Sequence, residues 1–174
     1  DPNPLAPSQP DAIVSPAHGT VDVIDETEET EILGGRCKRV SIFLSVFNVH
    51  VQRAPISGRV TLLKHREGQF LSATRSDCAK FNENVLLAIE PTDAPQRKLG
   101  LRLIAGLIAR RIVPWCELGE TIVRSERNIA NNVWLIRCVG DPVFCAPNIG
   151  NGGHLGAQYM PLFVGNANNH PAMP

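Results

Sequence analysis

The residues best suited to chemistry lie in residues 41–55, SIFLSVFNVHVQRAP. The first half is almost continuously apolar, which predicts a strand buried on both faces. Polar and apolar residues then alternate, so His50 would lie on a polar face between the amides of Asn48 and Gln52. Arg53 follows directly. An imidazole there can transfer protons near neutral pH, although the segment alone fits a hydrogen-bonded structural histidine better.

The elements that must position this segment are short apolar runs separated by turn residues. Strands are predicted at residues 21–24, 39–53, 59–63, 69–73, 85–90 and 98–105. This spacing predicts a mainly β fold, a barrel or sandwich related to barrel-sandwich hybrid folds. One or two short helices are expected, with residues 107–113 as the candidate because Leu107, Ile108 and Ile112 share a face at helical spacing.

The chain is predicted to hold one domain, which its 174 residues and 43% apolar content can supply with a core. Residues 1–11 contain four prolines and predict an extended lead-in. Residues 12–137 form the domain. Residues 138–174, rich in Asn, Gly, Pro and His without periodicity, predict an irregular or disordered tail.

Composition excludes several classes of function. The formal net charge is zero, so no basic excess favours nucleic acid. No apolar run reaches the roughly 18 residues of a membrane span. The cysteines form no C-x-x-C pair and have no zinc-like spacing to histidine, which predicts reduced thiols in a cytoplasmic protein and no metal. They are Cys37, Cys78, Cys116, Cys138 and Cys145.

Four sequence blocks occur in the order of one known family. SIFLSVFNVHVQRAPISGRV places a histidine after a buried strand and before a Gln-Arg-Ala-Pro turn. IVSPAHGTV precedes it, EGQFLSA with FNEN follows, and LIAGLIARRIVPW comes last. Together they span roughly residues 11–127 and resemble the signature blocks of the phosphatidylserine decarboxylase family.

That resemblance implies a proenzyme that cleaves itself between a glycine and a serine near its C-terminus. The serine becomes a pyruvoyl group, whose carbonyl condenses with the amine of phosphatidylserine and withdraws electrons as carbon dioxide leaves. The product is phosphatidylethanolamine, and the two cleaved chains stay associated. The resemblance also implies peripheral attachment to the cytoplasmic side of the cell membrane.

By motif match, His50 is the histidine that activates the cleaved serine, with an aspartate to orient it. Asn48, Gln52 and Arg53 are the candidate substrate-binding residues. The aspartate position holds His18, which cannot supply the negative charge that favours a protonated His50. His18 could equally be a polar residue in a Pro-Gly turn.

The serine position departs further from the family pattern. The family places Gly-Glu-Arg, an apolar strand and Phe-Gly-Ser here, so the pyruvoyl-forming serine is expected near Trp134 and Leu135. This chain reads SERNIANNVWLIRCVGDP, and no serine follows Ser125. The chain as written is therefore expected to stay uncleaved and inactive.

Codon arithmetic offers a reason for the missing serine. Residues 128–136 can be encoded as AAT ATC GCT AAT AAT GTT TGG CTC ATC, which reads Ile-Ser-Leu-Ile-Met-Phe-Gly-Ser one base later. We therefore hypothesise a single-base frameshift just after Arg127, since out-of-frame sequence has no selected core pattern. Downstream of Ile136 the shifted reading matches the family less well.

Three rival interpretations remain open. A non-catalytic pseudoenzyme or lipid-binding module of the same fold explains both departures without an error in the gene. A lipoyl- or biotin-carrier-like module needs a lysine at a hairpin tip, typically beside a methionine, and both methionines lie in the tail. A plain structural β domain leaves the His50 segment unexplained.

Several residues outside the His50 segment have two interpretations each. Arg110 and Arg111 could contact lipid phosphate or form a solvated pair. Leu107 and Trp115 could meet a membrane, although burial in the core is the commoner arrangement. Glu83 and Asn84 could hold a loop in place or line the site.

Overall fold

The computed structural model describes residues 9, 12–45, 47–73, 75, 77–94, 97–127, 130–131 and 158–166, the last two ranges by their backbone alone. Within these residues the chain forms strands and one short helix. Their bounds are β1 Thr20–Glu29, β2 Gly35–Leu44, β3 Val51–Gln52, β4 Gly58–Arg66, α1 Cys78–Phe81, β5 Asn84–Pro91, β6 Arg97–Ile104, β7 Val113–Pro114, β8 Thr121–Ile122, β9 Ala130–Asn131 and β10 Gln158–Asn166.

The strands form two sheets. The large sheet has seven strands in the order β1-β2-β10-β6-β5-β4-β8, and every neighbouring pair is antiparallel. It curls into a half-barrel, which confirms the mainly β prediction of a barrel or sandwich. The small sheet has the order β3-β9-β7.

The main core lies on one face of the large sheet and follows from period-two alternation along its central strands. In β5 and β6 alternate positions enter one hydrophobic cluster, and β2, β4 and β8 add further members. These residues are Ile42, Leu44, Val60, Val85, Leu87, Ile89, Leu99, Leu101, Leu103 and Ile122. β5 is buried on its other face too, where Leu86 and Ala88 pack against Ile32 from the β1–β2 turn.

The predicted strand at residues 39–53 is two strands separated by a turn, so the sequence prediction was wrong in its extent. β2 ends at Leu44 and β3 begins at Val51. The break follows from Ser45 and Asn48, short polar residues whose side chains bond to nearby backbone and so compete with the sheet.

The predicted strand at residues 69–73 is also wrong. Only an isolated bridge joins Gln69 to Asn82 in this stretch. The Asn82 side chain replaces strand pairing, since its Oδ1 accepts from the Leu71 N–H at 2.9 Å and its Nδ2 donates to the Leu71 carbonyl at 2.9 Å. The same Nδ2 donates to the Ala105 carbonyl at 2.7 Å.

The predicted helix at residues 107–113 does not form, and the short helix lies at Cys78–Phe81 instead. Gly106 and Pro114 bound a stretch too short to offset the cost of helix nucleation. Ala109 and Ile112 are buried, whereas Leu107 and Ile108 face solvent. The segment is therefore a loop anchored by two of its residues.

Part of the predicted irregular tail forms a regular strand. Residues 158–166 are β10, which pairs with β2 over Gln158–Val164 and with β6 over Leu162–Asn166. The mostly apolar run YMPLFVG fills the gap between two strand edges. Pro161 is compatible with this place because pairing with β6 starts one residue later. Residues 138–157 and 167–174 of the predicted tail lie outside the described residues.

Across the described ranges, no helix is long and apolar enough to cross a membrane.

Candidate functional site

The turn between β2 and β3 fixes the entry to the site. The Asn48 backbone N–H donates to the Ser45 carbonyl at 2.9 Å, and the Ser45 N–H donates to Asn48 Oδ1 at 2.7 Å. The Phe47 N–H donates to Ser45 Oγ at 3.1 Å. These polar groups of the turn are thereby satisfied locally, and His50 lies two residues after Asn48, directly before β3.

His50 is buried, with 7% of its surface exposed. Its Nε2 lies 3.1 Å from the Ser45 carbonyl oxygen. Because a carbonyl only accepts, Nε2 carries the hydrogen, and the neutral ring then has its lone pair on Nδ1. The Ser45 carbonyl thus orients the imidazole.

Gln52 and Arg53 hold the backbone around His50. Gln52 is fully buried, and its Nε2 donates to the His50 carbonyl at 3.1 Å. Arg53 is 4% exposed and donates from a terminal guanidinium nitrogen to the Ser125 carbonyl at 3.0 Å. Burial lowers the pKa of Arg53, and the charge of Arg127 acts in the same direction.

The chain after Arg127 runs beside the residues that follow His50. The Ser125 N–H donates to the Ala54 carbonyl at 2.8 Å, and the Ala54 N–H donates to the Glu126 carbonyl at 3.0 Å. β9 continues this pairing, with Gln52 opposite Ala130 and Val51 opposite Asn131. His50 therefore lies one residue beyond the last pair, next to the strand that follows Arg127. Trp134 and Leu135 themselves lie outside the described residues.

His18 approaches the site by its backbone. The Arg53 N–H donates to the Pro16 carbonyl at 2.8 Å, so the Ser-Pro-Ala-His segment crosses the strand that follows His50. The His18 side chain itself is exposed. Of the hydrogen bonds between described residues, none joins His18 to His50. Gly19 is required next to it, because a Cβ there would lie 2.6 Å from the Phe43 carbonyl oxygen.

The three candidate substrate-binding residues are brought together, but with different exposure. Asn48 is half-buried and closes the turn before His50. Gln52 and Arg53 are buried and bonded to backbone carbonyls. Asn48 therefore has surface to offer a ligand, whereas the other two support the backbone of the site.

Two important residues escaped prediction from the sequence. Asn82 holds residues 69–73 in place, and its signal in the sequence was its position in the FNEN block, directly before Glu83 and Asn84. Ser125 has a backbone φ of 70°, a conformation that favours glycine. It stands where the family pattern has the glycine of Gly-Glu-Arg, and that substitution was the available signal.

The remaining candidates lie around the site. Glu83 faces His65, with 3.1 Å between its carboxylate oxygen and His65 Nε2, and Asn84 donates to the Asn82 carbonyl at 2.9 Å. Leu107 and Trp115 are 51% and 45% exposed, so the expected burial of both in the core is wrong.

No group of three or more histidine, cysteine or acidic residues within the described ranges could hold a metal ion.

Comparison with known proteins agrees with the resemblance carried by the four sequence blocks described in the sequence analysis. The profile described as Phosphatidylserine decarboxylase matches residues 1–128. The chain is similar to proteins named phosphatidylserine decarboxylase proenzyme from Desulfotalea psychrophila and Symbiobacterium thermophilum, each 42% identical over 127 residues. A protein of the same name from Ruegeria pomeroyi is 40% identical over 130 residues. Each alignment covers 73% of this chain and 58% of the relative.

The chain thus spans a little over half the length of the curated relatives it matches. The profile match ends one residue after Arg127. Most of the domain described above, including the His50 segment, lies within the matched residues. The chain belongs to the phosphatidylserine decarboxylase family.

Proposed function

We propose that this fold serves a self-cleaving proenzyme that decarboxylates phosphatidylserine to phosphatidylethanolamine in phospholipid synthesis. The relatives' names support the class of reaction. The observation that carries the proposal is the pairing of β3 with β9, because it brings the strand that follows Arg127 to the residue after His50. A backbone bond in that strand would lie within reach of an imidazole.

His50 is proposed as the proton-transfer residue. With its ring oriented by the Ser45 carbonyl, His50 would take the proton of a serine hydroxyl on the neighbouring strand. That serine oxygen would then attack the preceding carbonyl carbon, forming an ester while the peptide C–N bond breaks and the proton passes from His50 to the freed amine. The Ser45 carbonyl supplies the orienting acceptor that the motif match assigned to position 18. His18 is accordingly proposed as an accessory residue, whose exposed ring would assist only if it turned toward the site.

Asn48, Gln52 and Arg53 are proposed to act in two ways. Asn48 would contact the substrate directly, because part of its surface is open. Gln52 and Arg53 would position His50 and the strand that follows Arg127, since their donors already engage the carbonyls of His50 and Ser125. The pair are therefore proposed as positioning residues.

The residues present do not fit a pyruvoyl group. Nowhere in the sequence does a serine follow a glycine. The last serine, Ser125, has its N–H and carbonyl engaged with Ala54 and Arg53. The chain as written is therefore proposed to be uncleaved and inactive. The frameshift just after Arg127 is the proposed cause, supported by the end of the family match at residue 128.

A strand at the place of β10 would keep the two products of cleavage together. β10 follows the expected cleavage point and pairs with both β2 and β6 in the middle of the large sheet. Separating it would expose two strand edges and the core between them. A parent with a restored reading frame must therefore supply its own strand between β2 and β6.

Carbon dioxide release from phosphatidylserine vesicles tests the proposed activity. Deleting the first base of the Asn128 codon restores the family reading under the frameshift hypothesis. The restored protein should release carbon dioxide, and its His50→Gln variant, like the chain as written, should not. Turnover by the chain as written would contradict the proposal. Codons for residues 128–136 that cannot yield Phe-Gly-Ser in the shifted frame would end the frameshift hypothesis.

A non-catalytic lipid-binding protein is the second candidate. The missing Gly-Ser pair favours it, as do apolar side chains exposed near His50. In that case the gene would read as written without error, and the purified chain would bind phospholipid without turnover. In either case the proposed location is the cytoplasmic side of the cell membrane.

A further inference from the structure

Three large apolar side chains in the two segments that lead into β3 and β7 face solvent. Phe47, in the turn before β3, is 90% exposed. Leu107 and Ile108, in the loop before β7, are 51% and 41% exposed. Exposed apolar groups of this size gain free energy when another surface covers them.

The small sheet brings these two loops to one end of the site. Val51 and Val113 both pair with Asn131, one from each side. Because both pairings are antiparallel, β3 and β7 run parallel to each other, about 10 Å apart at two strand spacings. The residues that enter these strands, His50 and Ile112, therefore lie at the same end of the small sheet. The turn with Phe47 and the loop with Leu107 lead into that end.

The loop before β7, which contains Leu107 and Ile108, is positively charged. Arg110 and Arg111 are exposed, and residues 105–116 contain no acidic residue. No carboxylate among the described residues pairs with either arginine. Arg110 is held by a bond from its Nε to the Leu107 carbonyl at 3.0 Å and by the Phe70 ring, whose centroid lies 5.4 Å from the guanidinium carbon. Its terminal nitrogens remain available to an anion.

We propose that this surface docks on an anionic phospholipid bilayer. The docking face consists of Phe47, Leu107, Ile108, Arg110 and Arg111. Its apolar tips would enter the headgroup–acyl boundary, and its guanidinium groups would pair with lipid phosphates. This inference rests on the proposed function, and it adds the face of the protein that would meet the bilayer, which would present substrate at the His50 end of the small sheet.

The charge of the face favours a bilayer over a second copy of the chain. A two-fold contact between copies would bring the same arginines together, and like charges repel. Three separated apolar tips flanked by arginines are also few for a stable protein interface, which buries roughly 800 Å² on each partner. An anionic membrane surface complements both features of the face.

Vesicle flotation of the purified chain as written tests the inference, because binding needs neither cleavage nor turnover. The vesicles would be phosphatidylcholine alone, or phosphatidylcholine with phosphatidylserine or with phosphatidylglycerol. Phe47→Ser and Leu107→Ser should each weaken binding to anionic vesicles about tenfold or more. Arg111→Gln should weaken it about fivefold. Ile24→Ser, at a 69% exposed position on β1, and Arg97→Gln, at an exposed arginine, are the matched controls.

Binding to both anionic vesicles that falls in the docking-face variants and not in the controls supports the proposal. Lack of binding to every vesicle, or equal losses in the controls, overturns it. The proposal is also overturned if sedimentation shows that the docking-face variants abolish self-association while their vesicle binding stays unchanged. Arg111→Gln changes no described side-chain contact, so its result remains readable if an apolar variant misfolds.

Failure of the proposed function would give a different combination of turnover and vesicle-binding results. A frame-restored protein without turnover, beside a chain that still floats with anionic vesicles, would overturn decarboxylation and keep the docking face. Turnover without vesicle binding would overturn the docking face alone.

Discussion

At the scale of single residues, the site depends on how His50 is held. Burial alone would make it a structural histidine, and the sequence favoured that interpretation when the segment stood by itself. The contact from Nε2 to the Ser45 carbonyl leaves Nδ1 with the lone pair. The strand that follows Arg127 runs beside the next residue. A merely structural role does not require that second feature.

Ser125 is expected to be strained, because its φ of 70° lies in a region that side chains with a Cβ rarely adopt. We predict that Ser125→Gly raises the free energy of unfolding by about 0.5–1 kcal/mol. This is the backbone strain that glycine relieves, less the entropic cost of the more flexible unfolded chain. Denaturant titration measures the change. Ser125→Ala is the control, since it removes the hydroxyl and keeps the strain. Equal stability of the two variants would contradict this explanation.

Three buried thiols are predicted to resist alkylation in the folded protein. Burial raises the pKa of Cys37, Cys78 and Cys116 to about 11, from an ordinary value of 9.0. At pH 8 the thiolate fraction is then about a hundredfold below that of an ordinary thiol. Iodoacetamide labelling, located by mass spectrometry, should reach these positions only as denaturant unfolds the chain. Rapid labelling of Cys116 in the folded protein would contradict the burial.

The same thiols give stability a pH dependence. Their folded-state pKa is above the ordinary value, so their contribution is fully present below about pH 9. It is lost as pH rises from 9 toward 11, because the unfolded chain ionises first. Cys116→Ala should reduce the fall in the denaturation midpoint between pH 8 and pH 10.5. An unchanged fall would contradict the assignment.

At the scale of elements, side-chain hydrogen bonds decide where strands stop. Asn82 is 1% exposed and makes three hydrogen bonds to the backbone of Leu71 and Ala105. We predict that Asn82→Ala lowers the free energy of unfolding by about 2–4 kcal/mol, because it leaves buried backbone groups unpaired. Asn84→Ala removes one such bond and should cost about 1 kcal/mol. Equal losses, measured by denaturant titration, would contradict this role of Asn82.

The sequence predicted the elements whose pattern is hydrophobic and periodic. The strands at residues 59–63, 85–90 and 98–105 correspond to β4, β5 and β6, because alternating apolar residues follow from burial on one face and the continuous apolar run of β5 follows from burial on both. It could not predict the turn at Ser45 or the loop pinned by Asn82. There the outcome depends on a polar side chain that finds a backbone partner, and in the loop that partner is distant in sequence.

The sequence predicted which residues belong to the candidate site, but it did not predict how they are arranged in space. His50 and its neighbours stand out in the sequence, and the family blocks order them. The orienting role of the Ser45 carbonyl depends on a turn that the alternation pattern hides. The exposure of His18 and the burial of Gln52 and Arg53 likewise depend on how three separate segments cross.

At the scale of the whole molecule, the fold gathers distant parts of the chain at one place. Residues 14–16, 51–55, 125–126 and 130–131 lie side by side through backbone hydrogen bonds. β10 joins β2 to β6 and completes the large sheet. The last described strand is therefore held between two others in the middle of the large sheet.

The central claim is that this scaffold sets His50 beside a backbone bond that breaks itself, and intact mass spectrometry tests it most directly. The chain as written should give a single uncleaved mass. The frame-restored protein should give two chains, the smaller beginning with a pyruvoyl group, and its His50→Gln variant should stay whole. Two fragments from the chain as written, or unchanged cleavage in the frame-restored His50→Gln variant, would contradict the account.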